Sequence, residues 1–150
     1  MLNLSFGGHS FDDRPPPLLA DAITSLPGTV TVACAGNTAS DRPFWPAALP
    51  SAVGVAAVDA SEERRAPFSG YGTWVDACAR GDWLTSSFLD SEEFAGYATW
   101  SGTSFATALV AGAIADAARH EPAKQVVRRL LDSEETRQIP DLGVLVPASL

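Results

Sequence analysis

The strongest constraint on the fold is a pair of short, almost entirely apolar runs, TVTVACA at residues 29–35 and AVGVAAV at residues 52–58. The first run is rich in β-branched residues and stops at a Gly-Asn pair, which is typical of a strand followed by a turn. Continuous apolar runs of this kind suit strands that are covered on both faces, as in a parallel sheet between helices. We therefore predict an α/β fold with a mainly parallel sheet that is flanked by helices.

Segments with helical spacing separate these strands. Apolar residues at positions 18, 19, 22, 23 and 26 form one stripe, and the prolines that precede them suit the start of a helix. A second helix is predicted from Ser104 to about His120, and a third follows Pro122. Further strands are predicted at residues 2–6, 74–79 and 94–100, the last as one arm of a hairpin, and residues 139–150 are predicted to form a short docked segment.

Composition and charge exclude several kinds of partner. The 150 residues contain 18 acidic and 10 basic side chains, and the formal net charge of −8 argues against nucleic acid and anionic membranes as partners. No apolar run reaches the length of about eighteen residues that a membrane-spanning helix needs. The first residues, MLNLSFGGHS, lack the basic and apolar regions of a signal peptide.

Two cysteines, Cys34 and Cys78, each lie in an apolar run that is predicted to be a strand. They predict either two buried free thiols or a disulfide between them. No other cysteine or histidine stands nearby at the spacing of a metal site. The residues alone therefore predict no metal site and no cofactor.

Ser104 begins the second predicted helix directly after a Gly-Thr pair. A serine before an apolar helical run is most often a helix cap, because its side-chain oxygen accepts a hydrogen bond from the first turn. The same place also suits catalysis, since the unpaired N–H groups and the positive end of the helix dipole favour an alkoxide or an oxyanion. Asn37, at the end of the first predicted strand, is similarly either a turn former or a side-chain donor to an oxyanion.

Five stretches of the chain resemble, in the same order, the motifs of the subtilisin-like serine proteases, the subtilase family. They are LNLSFGG, ACAGN, PFWPAALPSAVGVAAVD, APFSGYGTWVDACARG and SGTSFATALVAG, and the similarity covers nearly the whole chain. The resemblance implies a three-layer, subtilisin-like α/β fold and a serine endopeptidase that acts on polypeptide substrates. It also implies that Ser104 is the nucleophile.

The resemblance assigns roles to further residues. Asn37 and the backbone N–H of Ser104 would form the oxyanion hole. Two groups would contact the substrate: Ser5, Phe6 and Gly7 by pairing with an extended peptide in the manner of an added strand, and Cys34, Ala35 and Gly36 by lining the pocket for the residue before the scissile bond. The Trp45–Pro46 bond matches a family position at which the proline is often cis.

The base and the acid of a catalytic triad are not found in the sequence. His120 lies sixteen residues after Ser104 along one predicted helix, about 24 Å away, and nothing in the sequence orients His9 in its loop. Neither histidine is followed by Gly, and no Asp is followed by Thr-Gly or Ser-Gly, which are the motifs of the family's His and Asp. We therefore expect residues 1–150 to be the C-terminal portion of a subtilase catalytic domain, an incomplete fold whose Asp and His lie upstream of Leu2.

Such a chain is expected to be inactive alone and to need an upstream segment that carries the Asp and His as its partner. The alternative is a non-catalytic peptide-binding or vestigial subtilase-like domain. An α/β-hydrolase triad does not fit the sequence, because Asp116 and His120 follow Ser104 along the same predicted helix and cannot fold back to it.

The resemblance also bears on cofactors, location and activity. It allows calcium, although no carboxylate cluster with suitable ligand spacing is found, and it implies an extracellular location. The chain departs from the family pattern at Ala108 and Arg80, where Pro is usual, and at Leu109, where His is frequent. A straighter start of the helix at Ala108 would shift Ser104 slightly, and small shifts of a nucleophile lower its rate.

Overall fold

The computed structural model describes residues 1–133 and 135–147. Its elements are β1 (Leu2–Leu4), α1 (Pro17–Thr24), β2 (Thr31–Cys34), β3 (Ala52–Val58), β4 (Ala77–Arg80), β5 (Leu84–Asp90), β6 (Ala95–Trp100), α2 (Thr103–Ala117), α3 (Ala123–Asp132), β7 (Gln138–Ile139) and β8 (Gly143–Leu145). No helix in the described ranges is both long and apolar enough to cross a membrane.

Six of the strands form one sheet in the order β1-β2-β3-β4-β8-β7. The first five strands in this order run parallel to one another, and β7 pairs antiparallel with β8. Every residue of β2 and β3 is buried, because strands in the middle of such a sheet are covered on both faces. The predicted α/β fold with a mainly parallel sheet is therefore confirmed.

Alternate residues of β3 contact the two layers that cover the sheet. Val53 and Val55 pack in one cluster with Val110 of α2, which also includes residues of α3. Ala52 lies in a separate cluster with Ile23 of α1. Because successive side chains of a strand point to opposite faces, α2 and α3 cover one face and α1 covers the other. The fold therefore has the three layers that the sequence resemblance implied.

Several strand boundaries differ from the sequence predictions: β1 ends at Leu4 rather than Phe6, and β4 begins at Ala77 rather than Trp74. Strand β3 spans the residues predicted for it, and the Trp45–Pro46 bond is cis as predicted. Strand β5, the first arm of the hairpin, was not predicted, because most of its residues are exposed and show no alternation of polarity. The predicted docked tail contributes β7 and β8 to the sheet, and residues 148–150 of that prediction lie outside the described residues.

Cys34 and Cys78 are buried free thiols. Cys34 lies on β2 and Cys78 on β4, with β3 between them. Neighbouring strands are about 4.8 Å apart, so the two Cα atoms are separated by about 9 to 10 Å, beyond the limit of roughly 7 Å for a disulfide. The disulfide alternative is therefore wrong, and the prediction of two free thiols is confirmed.

The Cys78 thiol is expected to be unreactive in the folded chain. Burial raises the pKa of Cys78 to about 12, and the thiolate is the form that reacts with disulfide reagents. In a Cys34→Ala chain, which isolates one thiol, a chromogenic disulfide reagent at about pH 8 should react slowly before unfolding and fully in denaturant. Rapid reaction of the folded Cys34→Ala chain would contradict this account.

The same thiol gives stability a dependence on alkaline pH. The pKa of Cys78 lies above its ordinary value of 9.0 in the folded state, so the unfolded chain loses this proton first as the pH rises. The contribution to the free energy of unfolding is full below about pH 9 and is lost as the pH rises toward 12. Urea unfolding at several pH values should show this fall, and a Cys78→Ala chain should show a shallower one.

Candidate active site

The start of α2 lies against the carboxyl ends of the central strands. Gly81, which follows β4, donates its N–H to the carbonyl of Val58 at the end of β3 (3.1 Å), and Gly102 donates its N–H to the carbonyl of Gly81 (2.8 Å). A side chain at Gly81 would not fit, because its Cβ would lie 2.5 Å from the Cβ of Ala57. This close approach fixes the first turn of α2 at the edge of the sheet where α/β proteins commonly bind ligands.

Ser104 is the second residue of α2 and does not cap it. The helix begins at Thr103, and its N-cap is Gly102, which has no side chain to accept a hydrogen bond. The interpretation of Ser104 as the helix cap is therefore wrong. Ser104 is half-buried and lies in the first turn, where unpaired N–H groups and the helix dipole favour a negative charge.

The side chain of Asn37 is fixed by two hydrogen bonds from Thr103. The backbone N–H and the Oγ1 hydroxyl of Thr103 both donate to Asn37 Oδ1, each at 2.9 Å. A backbone N–H can only donate, so the oxygen of the amide must face Thr103 and the Nδ2 group must face away from it. The side chain of Asn37 therefore presents two N–H donors beside the start of α2.

Asn37 and Ser104 line one cleft of about 520 Å³. This cleft lies between the start of α2 and the β5–β6 hairpin. Phe88 and Trp100 of the hairpin and Phe105 of α2 give it apolar walls. A residue with amide N–H donors and a residue with a hydroxyl thus line the same partly apolar cleft, where hydrogen bonds to a charge are stronger than in water.

Arg80 and Asp82 hold the base of the hairpin. The carboxylate of Asp82 accepts a hydrogen bond from Ser101 Oγ (2.6 Å), and that Oγ accepts one from the N–H of Trp83 (3.0 Å). The Nε and Nη2 groups of Arg80 donate to the carbonyls of Asp82 (3.1 Å) and Trp83 (2.9 Å). Arg80, which departs from the family pattern, therefore orders the turn through which the hairpin leaves the sheet.

Ser5, Phe6 and Gly7 extend from β1 next to Ser104. All three residues are exposed, and they follow the last paired residue of β1, an edge strand of the sheet. The Ser5 hydroxyl approaches the carbonyl oxygen of Ser104 at 3.4 Å. The structure thus brings this predicted substrate segment beside the predicted nucleophile, and its contact with a substrate stays a prediction.

The ring of Phe44 separates this segment from the loop that carries Asn37. A Cβ at Gly7 would lie 2.5 Å from Phe44 Cε1, and a Cβ at Gly36 would lie 2.7 Å from Phe44 Cδ2. Gly36 also has a φ of +84°, which favours glycine. Both backbones therefore rest directly on one aromatic ring, which fixes the distance between them.

Cys34, Ala35 and Gly36 are buried at the end of β2. Ala35 packs in a core cluster with Ala56 and Cys78, and the cleft beside Ser104 is not lined by any of the three residues. Their predicted role in lining a pocket for the substrate therefore stays a prediction.

Neither histidine is placed to accept a proton from Ser104. His9 Nδ1 is 3.0 Å from the carbonyl oxygen of Pro43, and His9 Nε2 is 3.0 Å from Thr38 Oγ1. His120 follows the end of α2 at Ala117, at the opposite end of the helix from Ser104. These are the two histidines of the sequence, and neither is held beside Ser104.

Asp116, the acid of the α/β-hydrolase alternative, does not lie beside Ser104. Asp116 pairs with Arg119 on the surface at 2.9 Å, well along α2 from Ser104. No group of three or more His, Cys, Asp or Glu side chains within residues 1–133 and 135–147 could hold a metal ion. The calcium that the resemblance allowed therefore has no carboxylate cluster among these residues.

Comparisons with known proteins agree with this geometry. The sequence matches the Subtilase family over residues 1–139. It is 42% identical over 85 residues to thermitase from Thermoactinomyces vulgaris, an alignment that covers 57% of this chain and 29% of thermitase. It is 35% identical over 146 residues to the minor extracellular protease Epr from Bacillus subtilis (strain 168), which covers 95% of this chain and 21% of that protein.

The fold also matches solved structures. The crystal structure of a cold adapted subtilisin-like serine proteinase superposes with a TM-score of 0.77 at 30% identity, over 99% of this chain and 54% of that one. The chain thus spans about half of that structure and less than a third of the two relatives. The three-layer fold and the cleft of Ser104 and Asn37 define a chain of the subtilisin-like class. The chain belongs to the subtilase family of serine proteases.

Several residues of the site were not found from the sequence. Thr103 holds Asn37, and its only signal in the sequence is its place between glycine and serine in the motif that resembles the family. Phe88, Trp100 and Phe105 line the cleft, and nothing local to them indicates that the hairpin faces α2.

Removing the Thr103 hydroxyl should weaken the fold measurably. Thr103→Val deletes one of the two donors to Asn37 Oδ1 at a fully buried position. We expect the free energy of unfolding to fall by about 1 kcal/mol, measured by urea unfolding. Thr73→Val, at an exposed turn position, is the matched control and should change stability by less than about 0.5 kcal/mol. An unchanged stability in Thr103→Val would contradict the importance of this contact.

Proposed function

We propose that this chain supplies the nucleophile, the oxyanion donors and the substrate strand of a serine endopeptidase, and that residues 1–150 form the C-terminal portion of its catalytic domain. The observation that carries the proposal is the contact between Asn37 and Thr103, which leaves the Asn37 amide N–H groups in the same cleft as the Ser104 hydroxyl. Membership of the family supports a polypeptide as the substrate.

The reaction follows from the positions of these groups. Ser104 Oγ attacks the carbonyl carbon of the scissile bond and passes its proton to a histidine, which then protonates the leaving amine. The carbonyl oxygen becomes an oxyanion and accepts hydrogen bonds from Asn37 Nδ2 and from the backbone N–H of Ser104. The positive end of the α2 dipole stabilises the same charge. Water then hydrolyses the acyl-enzyme in a second attack.

The substrate binds along the exposed segment Ser5–Gly7. These residues are exposed and lie beyond Leu4, the last paired residue of β1, so an extended peptide adds to this segment itself by backbone hydrogen bonds. Because Ser5 lies beside the carbonyl of Ser104, such a peptide passes the nucleophile. The apolar walls of Phe88 and Trp100 flank its path.

The proton acceptor comes from an Asp- and His-bearing segment that pairs with this chain. Both histidines of the chain are placed away from Ser104, and the similar solved structure is about twice as long as the aligned region. The chain alone is therefore inactive. The same proposal places the protein outside the cell, in line with the extracellular relative from Bacillus subtilis.

A non-catalytic peptide-binding or vestigial domain is the second candidate. It is favoured by the two hydrogen bonds of His9, which hold this histidine against Pro43 and Thr38 rather than against Ser104. The edge at Ser5–Gly7 needs no base in order to bind an extended peptide.

A fluorophosphonate probe separates these functions, because it labels a serine only when a base activates it. The chain alone should label very slowly, whereas a polypeptide in which an Asp- and His-bearing segment precedes the chain should label at Ser104 and cleave peptides. Ser104→Ala should abolish both signals. Rapid labelling of the chain alone would refute the need for an outside histidine, and no labelling of the longer polypeptide would favour the peptide-binding candidate.

The oxyanion role of Asn37 is tested in the same longer polypeptide. Asn37→Leu should lower kcat by about 10²- to 10³-fold, the range known for the equivalent asparagine of subtilisin itself. KM should change little, because the donor acts mainly in the transition state. Gln125→Leu, which removes an exposed amide on α3, is the control and should leave kcat unchanged. Similar rates for Asn37→Leu and the control would contradict the role.

A further inference from the structure

His9 lies in the loop after β1 and contacts the loop that follows β2. Its Nδ1 is 3.0 Å from the carbonyl oxygen of Pro43, and its Nε2 is 3.0 Å from the hydroxyl of Thr38, the residue after Asn37. Its ring also meets the ring of Phe44 edge to face, with the centroids 5.2 Å apart. One side chain thus contacts three residues of the segment that follows β2.

The hydrogen bonds fix the orientation of the His9 ring. The carbonyl of Pro43 can only accept, so His9 Nδ1 carries a hydrogen and donates it. Nε2 then accepts a hydrogen bond from Thr38 Oγ1 when the ring is neutral and donates one when the ring is charged. Both ring nitrogens are therefore engaged in either protonation state, and the ring links the two loops in both.

The two loops carry the substrate segment and the oxyanion donor. Gly8, which precedes His9, exchanges two backbone hydrogen bonds with Trp45 (2.9 and 3.0 Å), so the chain just after Ser5–Gly7 is anchored to the segment after β2. On the other side, Thr38 lies between Asn37 and Ala39, whose φ of +51° is costly for a residue with a Cβ. A loop with such a residue needs contacts from its surroundings in order to keep one conformation.

We infer that His9 is a positioning residue that keeps the Asn37 loop in place relative to the substrate segment Ser5–Gly7. Thr103 fixes the direction of the Asn37 amide from the side of α2, and His9 holds the Thr38 side chain of the same loop and the Pro43 carbonyl from the side of β1. The inference rests on the proposed function, because a fixed distance between substrate and donor matters only if Asn37 binds an oxyanion. A displaced donor lowers kcat and leaves KM nearly unchanged.

Three substitutions separate the hydrogen bonds of His9. The shorter amide introduced by His9→Asn lies near the Nδ1 position, so this variant keeps the bond to Pro43 and loses the bond to Thr38. His9→Gln places an amide near the Nε2 position and keeps the bond to Thr38. Thr38→Val removes the hydroxyl from the other side and leaves His9 in place.

We expect His9→Asn and Thr38→Val each to lower kcat about tenfold with less than about a twofold change in KM. Both constants are measured in the longer polypeptide, in which an Asp- and His-bearing segment precedes the chain. The double variant should be no slower than either single variant, because both remove the same bond. His9→Gln keeps the hydrogen bond to Thr38 and should therefore retain most of the kcat of the unaltered polypeptide. His120→Asn, at the far end of α2, is the matched control and should leave kcat and KM unchanged.

A purely structural role for His9 predicts a different pattern. Thermal unfolding would then shift to lower temperature in His9→Asn, while kcat of the folded protein would stay within about twofold of the original. That result would overturn the inference, and so would additive losses in the double variant.

Failure of the proposed function is recognised separately, as the absence of Ser104 labelling in the unaltered polypeptide. The positioning inference is then decided by NMR of the ¹⁵N-labelled chain, in which the side-chain amide signals of Asn37 report the conformation of the loop. His9→Asn and Thr38→Val should broaden or double these signals, and His9→Gln should not. Unchanged Asn37 signals in the first two variants would overturn the inference without any measurement of activity.

Discussion

Two hydrogen bonds join the end of β2 to the start of α2, from Thr103 to the side-chain oxygen of Asn37, across 66 positions of sequence. The backbone N–H of Thr103 is one of the donors that a helix leaves unpaired in its first turn. Gly102, at the N-cap position of α2, has no side chain that could cap the helix. Asn37 supplies the capping oxygen in its place. The Ser104 hydroxyl is thus left free of the capping role that its local sequence suggests, and the same two hydrogen bonds fix the direction of the Asn37 amide group.

Close approaches of backbone atoms make this arrangement rigid. A Cβ at Gly81 would overlap the residues around it, so the end of the sheet and the start of α2 meet without an intervening side chain. In the loops after β1 and β2, Gly7 and Gly36 both rest on the ring of Phe44. Side chains in these places would separate the segments by about 1 Å or more, a displacement large enough to change a catalytic rate considerably.

The sequence predicts the buried parts of this molecule well and the contacts between distant segments poorly. Strand β3 was predicted residue for residue, because a parallel strand buried on both faces is apolar throughout. Strand β5 could not be predicted, because its residues are mostly exposed and its sequence does not alternate between apolar and polar residues. Motif resemblance predicted that Ser104 and Asn37 belong together, whereas the contacts of Thr103 and His9 depend on loops far apart in sequence and have no local pattern.

The open edge of β1 lies on the same side of the molecule as Ser104, beside which neither histidine of the chain is held. Strand β1 has no neighbour beyond it among the described residues, and Ser5, at its carboxyl end, is next to Ser104. A parallel strand paired to that edge would lie about 4.8 Å from β1, and its carboxyl end would reach the same rim of the sheet as Ser5. Exposed strand edges are aggregation hazards. One added segment would therefore protect the edge and bring its own side chains to the rim beside the nucleophile, so that completing the sheet and completing the site become one structural event.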